Sequence, residues 1–229
     1  WPRPGKNIWT PSNGSRARGF DPVSRLICFI DDSEFEHDLV RREIAPQTPD
    51  LEFCQAYTFE EAQTALGAAK PALFLLDLWG QDESVVNPHV TPKADLQRDA
   101  TQFPTLDAVY EGLDHFKGDL HNEYLKRLFS IVHHWRALFE KACDNIGQNR
   151  KYGLANMEQA RRRYPGVPAV FYTRKSLITD AVALFRARAD GLFIKPTGTD
   201  EPQTRAMTRA YAPTLQEELK RIMESFPPA

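Results

Sequence analysis

Five polar residues stand directly behind short apolar runs. Asp31 and Asp32 follow Leu26-Ile27-Cys28-Phe29-Ile30, and Asp77 follows Ala72-Leu73-Phe74-Leu75-Leu76. Thr173 follows Pro168-Ala169-Val170-Phe171-Tyr172, and Lys195 follows Leu192-Phe193-Ile194. Their chemistry is complementary. Three carboxylates brought together repel one another and raise at least one pKa. A hard divalent cation relieves that repulsion, and Mg2+ prefers carboxylate oxygens while keeping several waters. Lysine adds a compact positive charge suited to a phosphoryl oxygen, and a threonine hydroxyl can donate to the same oxygen. Such a set can hold a carboxylate nucleophile during phosphoryl transfer, a reaction that is mostly positioning and charge neutralisation. Singly, an Asp behind a strand is usually a turn former or helix cap, and a lone Lys is usually solvated. The combination, in one consistent order, is what points to chemistry.

The elements that must position these residues are legible from periodicity. Continuous apolar runs predict strands buried on both faces of a parallel sheet, at 26–30, 51–54, 72–76, 168–172 and 192–194. Helices are expected between them. One runs from Glu34 to Ile44 and stops near Pro46, and one is capped by Thr58 with Glu61 three residues on. Others cover 154–163 and Ser176 to Ala187, and one or two follow Lys195, the later from Thr214 to Ser225. Alternating strands and helices imply an α/β, doubly wound parallel sheet. Right-handed crossovers place all strand C-termini along one edge, where such sheets bind ligands.

The segments LICFIDDSE, ALFLLDLWG, PAVFYTRK and DGLFIKPTG resemble the CheY-like receiver domains of two-component response regulators. The resemblance covers residues 25–80 and about 152–226. It implies a five-stranded flavodoxin-like sheet with Asp77 as the phosphoacceptor. Asp31, Asp32 and Asp77 would hold Mg2+, together with the backbone carbonyl of Trp79. Thr173 would turn toward the phosphoryl group and Lys195 would pair with it, with Lys195-Pro196 as a cis peptide. The implied partners are a histidine kinase or a histidine phosphotransfer protein, and the implied output is a conformational change read by another protein.

Two positions depart from the pattern. Leu192 stands three residues before Lys195, where the family usually carries an aromatic switch residue. Arg174 follows Thr173, where the family prefers a small side chain; it is either a cover over the acyl phosphate or an ordinary surface arginine. A larger departure is length. Asp77 and Thr173 lie 96 positions apart (173 − 77), whereas a βαβ unit spans roughly 30 residues. The expected organisation is a tail over 1–22, rich in Pro and Gly, and a receiver over 23–229 interrupted by a helical insertion over 81–150. Within the insertion, Gln81 to Pro104 reads as a loop. Leu106, Val109, Leu113 and Phe116 form one helical seam, and Tyr124, Leu128, Ile131, Trp135, Leu138 and Ala142 another. Gly118-Asp119 would separate the arms of a helical hairpin. Its seam can bury itself within the hairpin, on the receiver, or on a second chain as a homodimer. His115, His121, His133 and His134 read as exposed helical histidines rather than ligands.

Composition narrows the classes further. A net charge of −2 at pH 7 gives no field favouring nucleic acid or an anionic membrane. No apolar run reaches the roughly 20 residues of a membrane span, and no signal-peptide core is present. Cys28, Cys54 and Cys143 are scattered and odd in number, which predicts reduced thiols and a cytoplasmic setting. The reading is a phosphoacceptor signalling domain rather than an enzyme. A phosphate-independent interaction or dimerisation module is the alternative. An aspartyl phosphatase fits poorly, because Ser33 stands where its Asp-x-Asp would need an acid.

Overall fold

The protein is described by a computed structural model, which covers residues 25–82, 84–174 and 177–226. The tail expected over 1–22 lies outside the described residues. Five strands form one parallel sheet: β1 (Arg25–Ile30), β2 (Leu51–Ala56), β3 (Leu73–Leu76), β6 (Ala169–Thr173) and β7 (Gly191–Ile194). The short strands β4 (Gly80–Gln81) and β5 (Gln148–Asn149) make a separate ribbon. The sheet order is β2-β1-β3-β6-β7, a doubly wound flavodoxin-like arrangement with its switch point between β1 and β3. Parallel register pairs Ile30 with Leu76 and Leu76 with Phe171, and Thr173 with Ile194. The residues that follow β1, β3 and β6 therefore emerge side by side at one sheet edge.

Both faces of the sheet are apolar, which is why its strands read as unbroken hydrophobic runs. On one face Ile27, Phe29, Leu73, Leu75, Val170 and Tyr172 pack with Val40 and Ile44 and with Ala212, Leu215, Leu219 and Met223. The first pair lies on the helix that begins as α1 (Glu34–Leu39), widens to a π-helical turn over Val40–Ile44 and ends in a 3-10 turn at Ala45–Gln47. The second group lies on α8 (Glu201–Ser225). It is one continuous helix with Pro213 inside it, where the sequence left one or two open. On the other face, Phe74 meets Tyr164, which ends α6 (Lys151–Arg163), at 5.4 Å and Phe59, the first residue of α2 (Phe59–Leu66), at 6.2 Å. Thr58 caps α2 as expected, accepting from the Glu61 N–H at 3.2 Å, while the Glu61 carboxylate accepts from the Tyr57 N–H. The remaining helix of the sheet unit, α7 (Ile178–Arg186), starts within the expected Ser176–Ala187 segment, and Ser176 lies outside the described residues.

Gln81–Asn149 forms a compact unit of its own, and the chain up to Gly80 joins the chain from Arg150 onward as the other. The smaller unit is built on α5 (Leu120–Asn145), a helix of 26 residues capped by Asp119, whose Oδ1 accepts from the Asn122 N–H at 3.1 Å. The expected loop from Gln81 to Pro104 contains a helix, α3 (Lys93–Ala100). Its largely polar sequence gave no apolar period, and it is anchored instead by Lys141 on Asp99 at 2.8 Å. The expected first arm over 106–116 is also corrected. It stops as α4 (Leu106–Tyr110), because Gly112 turns the backbone left-handed at φ 64°, and it resumes only as a 3-10 turn at Leu113–His115. Of the second seam, Leu138 is buried, Leu128 and Ile131 are half-buried and Trp135 is exposed. Phe103 packs edge-on against Trp135, at 5.3 Å.

Candidate functional site

The sheet edge brings every one of the expected acidic residues together. Oxygens of Asp31, Asp32 and Asp77 all lie within 4.8 Å of one another. Asp31 and Asp77 are buried, and Asp32 is half-buried. The β1–α1 turn is fixed locally, since the Ser33 N–H donates to Asp31 Oδ1 at 2.9 Å. His37, one turn into α1, lies against the Asp31 carbonyl at 2.9 Å and the Gln55 side chain at 2.9 Å. Burial holds its pKa below the ordinary histidine value, and because a carbonyl oxygen only accepts, the Nε2–H is the donor to Asp31.

Lys195 reaches the centre of this cluster. Its Nζ lies 2.5 Å from Asp31 Oδ2 and 3.1 Å from Asp77 Oδ1. A third carboxylate, Glu36, approaches at 3.5 Å. Burial alone would lower the lysine pKa, but Asp31, Asp77 and Glu36 outweigh it and hold the ammonium above its usual range. Burial pushes Asp31 up to about 7, against the pull of Lys195 and with Asp77 and Glu36 adding to the rise. Asp77 is raised for the same first reason, while Lys195 and a hydrogen bond from the Thr173 side chain pull it down. Thr173 is fully buried at the end of β6. Buried acids held this way gain from any further positive charge, and three hard oxygen donors in mutual reach fit a divalent cation of the Mg2+ type.

Trp79, two residues beyond Asp77, is fixed through its side chain. The indole Nε1–H donates to Asp180 Oδ2 at 3.1 Å, and the Arg150 guanidinium lies 5.8 Å above the indole ring. Asp180 is buried in the first turn of α7, accepts from the Leu177 N–H at 2.8 Å and pairs with Arg150 at 3.1 Å. The loop after β3 is thereby tied to the start of α7. The same loop also rests on α6 at close range. A Cβ on Gly153 would stand 2.4 Å from the Asp77 carbonyl oxygen, so only glycine fits there.

Arg174 is not free surface. Its Nη2 pairs with Glu36 at 2.7 Å, and its Nη1 donates to the Pro196 carbonyl at 2.6 Å and to Thr197 Oγ1 at 2.9 Å. One side chain thus straps the β6–α7 loop to α1 and to the β7–α8 loop. The Lys195-Pro196 bond is trans, since no described peptide is cis; trans is the favoured isomer of an X-Pro bond by about 0.5–1 kcal/mol. Leu192 lies on β7 opposite Phe171, half-buried.

Sequence reasoning missed Glu36, Asp180, Arg150 and Gly153. A signal existed for the first. Glu36, Leu39, Val40, Glu43 and Ile44 share one helical stripe, and all are buried. A glutamate on a buried stripe needs a cation, and Glu43 has Arg209 at 2.7 Å as Glu36 has Arg174. No local signal marks the role of Asp180 at the site, because its indole and guanidinium partners, Trp79 and Arg150, come from two distant segments. The histidines of the helical unit do not converge. His133 bonds Arg136 and His134 lies against the Ser130 carbonyl, while His115 and His121 are exposed.

Strand order and edge chemistry together define a doubly wound, flavodoxin-like domain with an acidic cluster at its sheet edge. No protein-family model and no curated protein matches the chain. Among solved structures it is similar to CheY-like response-regulator receivers. A receiver domain protein from Methanospirillum hungatei JF-1 is 13% identical, with 88% of this chain and 98% of that one covered at a TM-score of 0.43. The receiver domain of NtrX from Brucella abortus is 17% identical, with 86% and 98% covered at 0.44. The Mn2+-bound form of the response regulator Rcp1 is 14% identical, with 84% and 95% covered at 0.42. No described helix is long and apolar enough to cross a membrane.

Proposed function

We propose that this chain is a response-regulator receiver that accepts a phosphoryl group on Asp77 from a histidine kinase or histidine phosphotransfer protein. The observation that carries the reading is the convergence of Asp31, Asp32 and Asp77 around Lys195, whose Nζ sits 3.1 Å from the Asp77 carboxylate. In the transfer, the P–N bond of a phosphohistidine breaks, a P–O bond to an Asp77 oxygen forms, and the imidazole leaves neutral. Asp31, Asp32, Asp77 and the Trp79 carbonyl would hold Mg2+, which supplies charge neutralisation for the phosphoryl oxygens when bound. Lys195 pairs with one phosphoryl oxygen, and Thr173, already bonded to Asp77, donates to another. As the carboxylate becomes an acyl phosphate, Lys195 and Thr173 shift their contacts outward. The change can pass to α7 through Trp79 and Asp180, joined at 3.1 Å. In this reading the chain is a signalling domain of the cytoplasm, not an enzyme with a released product.

A second reading, an interaction module that works without phosphate, is favoured by Leu192 in the place of the aromatic switch and by the Arg174–Glu36 pair beside the site. One experiment separates the two. Beryllofluoride with Mg2+ is added to wild type and to Asp77→Asn, and bound fluorine is read by NMR. The phosphoacceptor reading expects a bound signal in wild type alone. A folded wild-type protein without that signal sinks it and leaves the phosphate-independent module.

A further inference from the structure

The receiver chemistry makes no use of α5, and α5 carries a second apolar face besides the one that α3 and α4 cover. Those short helices meet α5 at Tyr124, Arg127 and Lys141, and Phe103 between them meets it at His134. Away from them, Leu125, Phe129, Val132, Arg136 and Phe139 recur at spacings of four, three, four and three. That is the repeat of a two-stranded helical seam, about 21 Å long at 1.5 Å per residue. Its apolar members are open to solvent: Leu125 is 50% exposed, Phe129 67%, Val132 61% and Phe139 41%. A stripe of this size on a soluble surface marks a contact.

The charges on and beside the seam select its occupant. Lys126 and Glu140 flank the same side, fourteen positions apart (140 − 126), one near each end of the stripe. Arg136 stands inside the seam, just past its middle. A second copy of α5 laid parallel would set Arg136 against the partner's Arg136 and leave Lys126 about 21 Å along the axis from the partner's Glu140. Two like charges in an apolar seam are costly. A second copy laid antiparallel, about a two-fold axis near the helix midpoint, removes both faults. Phe129 then packs on the partner's Phe139, and Val132 takes the alkyl stem of the partner's Arg136. Lys126 meets the partner's Glu140 at both ends, and Trp135 lies beside the partner's Trp135. The surface is complementary to itself only under two-fold symmetry, which is the requirement for an isologous dimer.

We infer that the protein forms an antiparallel homodimer through the Leu125–Phe139 face of α5. The inference stands apart from the phosphoacceptor reading, because oligomeric state and beryllofluoride binding at Asp77 are read by separate measurements. The test is sedimentation velocity on the whole chain from about 1 to about 500 μM, concentrations that bracket a micromolar association of about −8 kcal/mol. Wild type is expected to pass from monomer to dimer. Phe129→Asp should weaken the dimer about 30-fold or more, as for the removal of a seam anchor, with an unchanged far-ultraviolet dichroism spectrum. Lys126→Glu should weaken it less, and Lys126→Glu with Glu140→Lys should restore it. Orientation is read separately: His133→Cys lies near the axis and should cross-link to itself under oxidised glutathione, while Lys126→Cys should cross-link only to Glu140→Cys. A wild-type protein that stays monomeric throughout, or a dimer indifferent to Phe129→Asp, overturns the inference. A dimer in which His133→Cys does not cross-link overturns the antiparallel arrangement.

Discussion

Replacing Lys195 with Met removes one buried ammonium and leaves three carboxylates facing the space it held. That ammonium lies 2.5 Å from Asp31, 3.1 Å from Asp77 and 3.5 Å from Glu36, with the lysine side chain only 3% exposed. Breaking a buried ion pair from one side costs about 3–5 kcal/mol, because the stranded charges remain buried. Met fills similar volume, so the packing penalty should stay under about 1.5 kcal/mol. The pH dependence identifies the cause. Asp31 already sits at about 7, above its usual 3.8. The folded state therefore keeps a proton that the unfolded chain releases, and wild-type stability in chelator falls as pH rises through that window. The ceiling for this single group is about 4 kcal/mol, at about 1.4 kcal/mol per pKa unit. Without Lys195 the carboxylates hold protons to still higher pH. The deficit of Lys195→Met against wild type should then be about 3–5 kcal/mol near pH 8 and shrink to roughly 1 kcal/mol near pH 5, where protons replace the ammonium. Mg2+ near pH 8 should return part of it, about 2.7 kcal/mol at a hundredfold excess over Kd. Urea denaturation in chelator and in Mg2+, at the two pH values, measures all of this. A deficit of equal size at both pH values would show that Lys195 does not compensate buried charge, and the account of the site would fail.

The other expectations use the same physics. Gly153→Ala forces a Cβ to 2.4 Å from the Asp77 carbonyl oxygen and 2.7 Å from the Leu78 Cα; it should cost about 1–3 kcal/mol and abolish beryllofluoride binding, by denaturation and fluorine NMR. Asp180→Ala removes the acceptor of the Trp79 indole and Leu177 N–H groups and one partner of Arg150; a destabilisation of about 1–3 kcal/mol is expected, with a shift of tryptophan emission. Arg174→Ala unstraps Glu36 from the Pro196–Thr197 loop. It should cost about 1 kcal/mol or less and speed labelling of Asp77 by a small acyl phosphate, read by phosphate-affinity electrophoresis.

The fold was legible because its physics is local. Runs such as Phe74-Leu75-Leu76 have no polar face to conceal, so a strand buried on both sides announces itself. A polar residue after each run then marks the sheet edge. The helical unit was read less well, for an equally local reason. α3 buries no residue fully and so imposes no apolar period, and Gly112 breaks an otherwise regular seam by adopting φ 64°. The second stripe of α5 stayed hidden behind the first. Two apolar faces on one helix blur into a single pattern, and only the packing of α3 and α4 tells which is already covered. At the site, Asp31, Asp32, Asp77, Thr173 and Lys195 could be named from their places at strand ends, whereas Asp180 could not, since Trp79 and Arg150 reach it across 101 and 30 positions (180 − 79 and 180 − 150).

Glu36 changes the electrostatic logic of the edge. Asp31, Asp32, Asp77 and Glu36 supply four negative charges, and Lys195 and Arg174 two positive ones. With all four carboxylates ionised the remainder is minus two, which one divalent cation would balance, as protons do at lower pH. Glu36 therefore does more than occupy Lys195: it adds to the negative charge that a metal or a proton must offset. It also engages Arg174 at 2.7 Å. Under the proposed function, a phosphoryl group on Asp77 would draw Lys195 away from Glu36, and that change would propagate through Glu36 to Arg174 and to the Pro196–Thr197 loop that Arg174 clasps at 2.6 and 2.9 Å. With Leu192 in the aromatic position, the Arg174 strap is a chemically suitable place for this chain to register the state of Asp77.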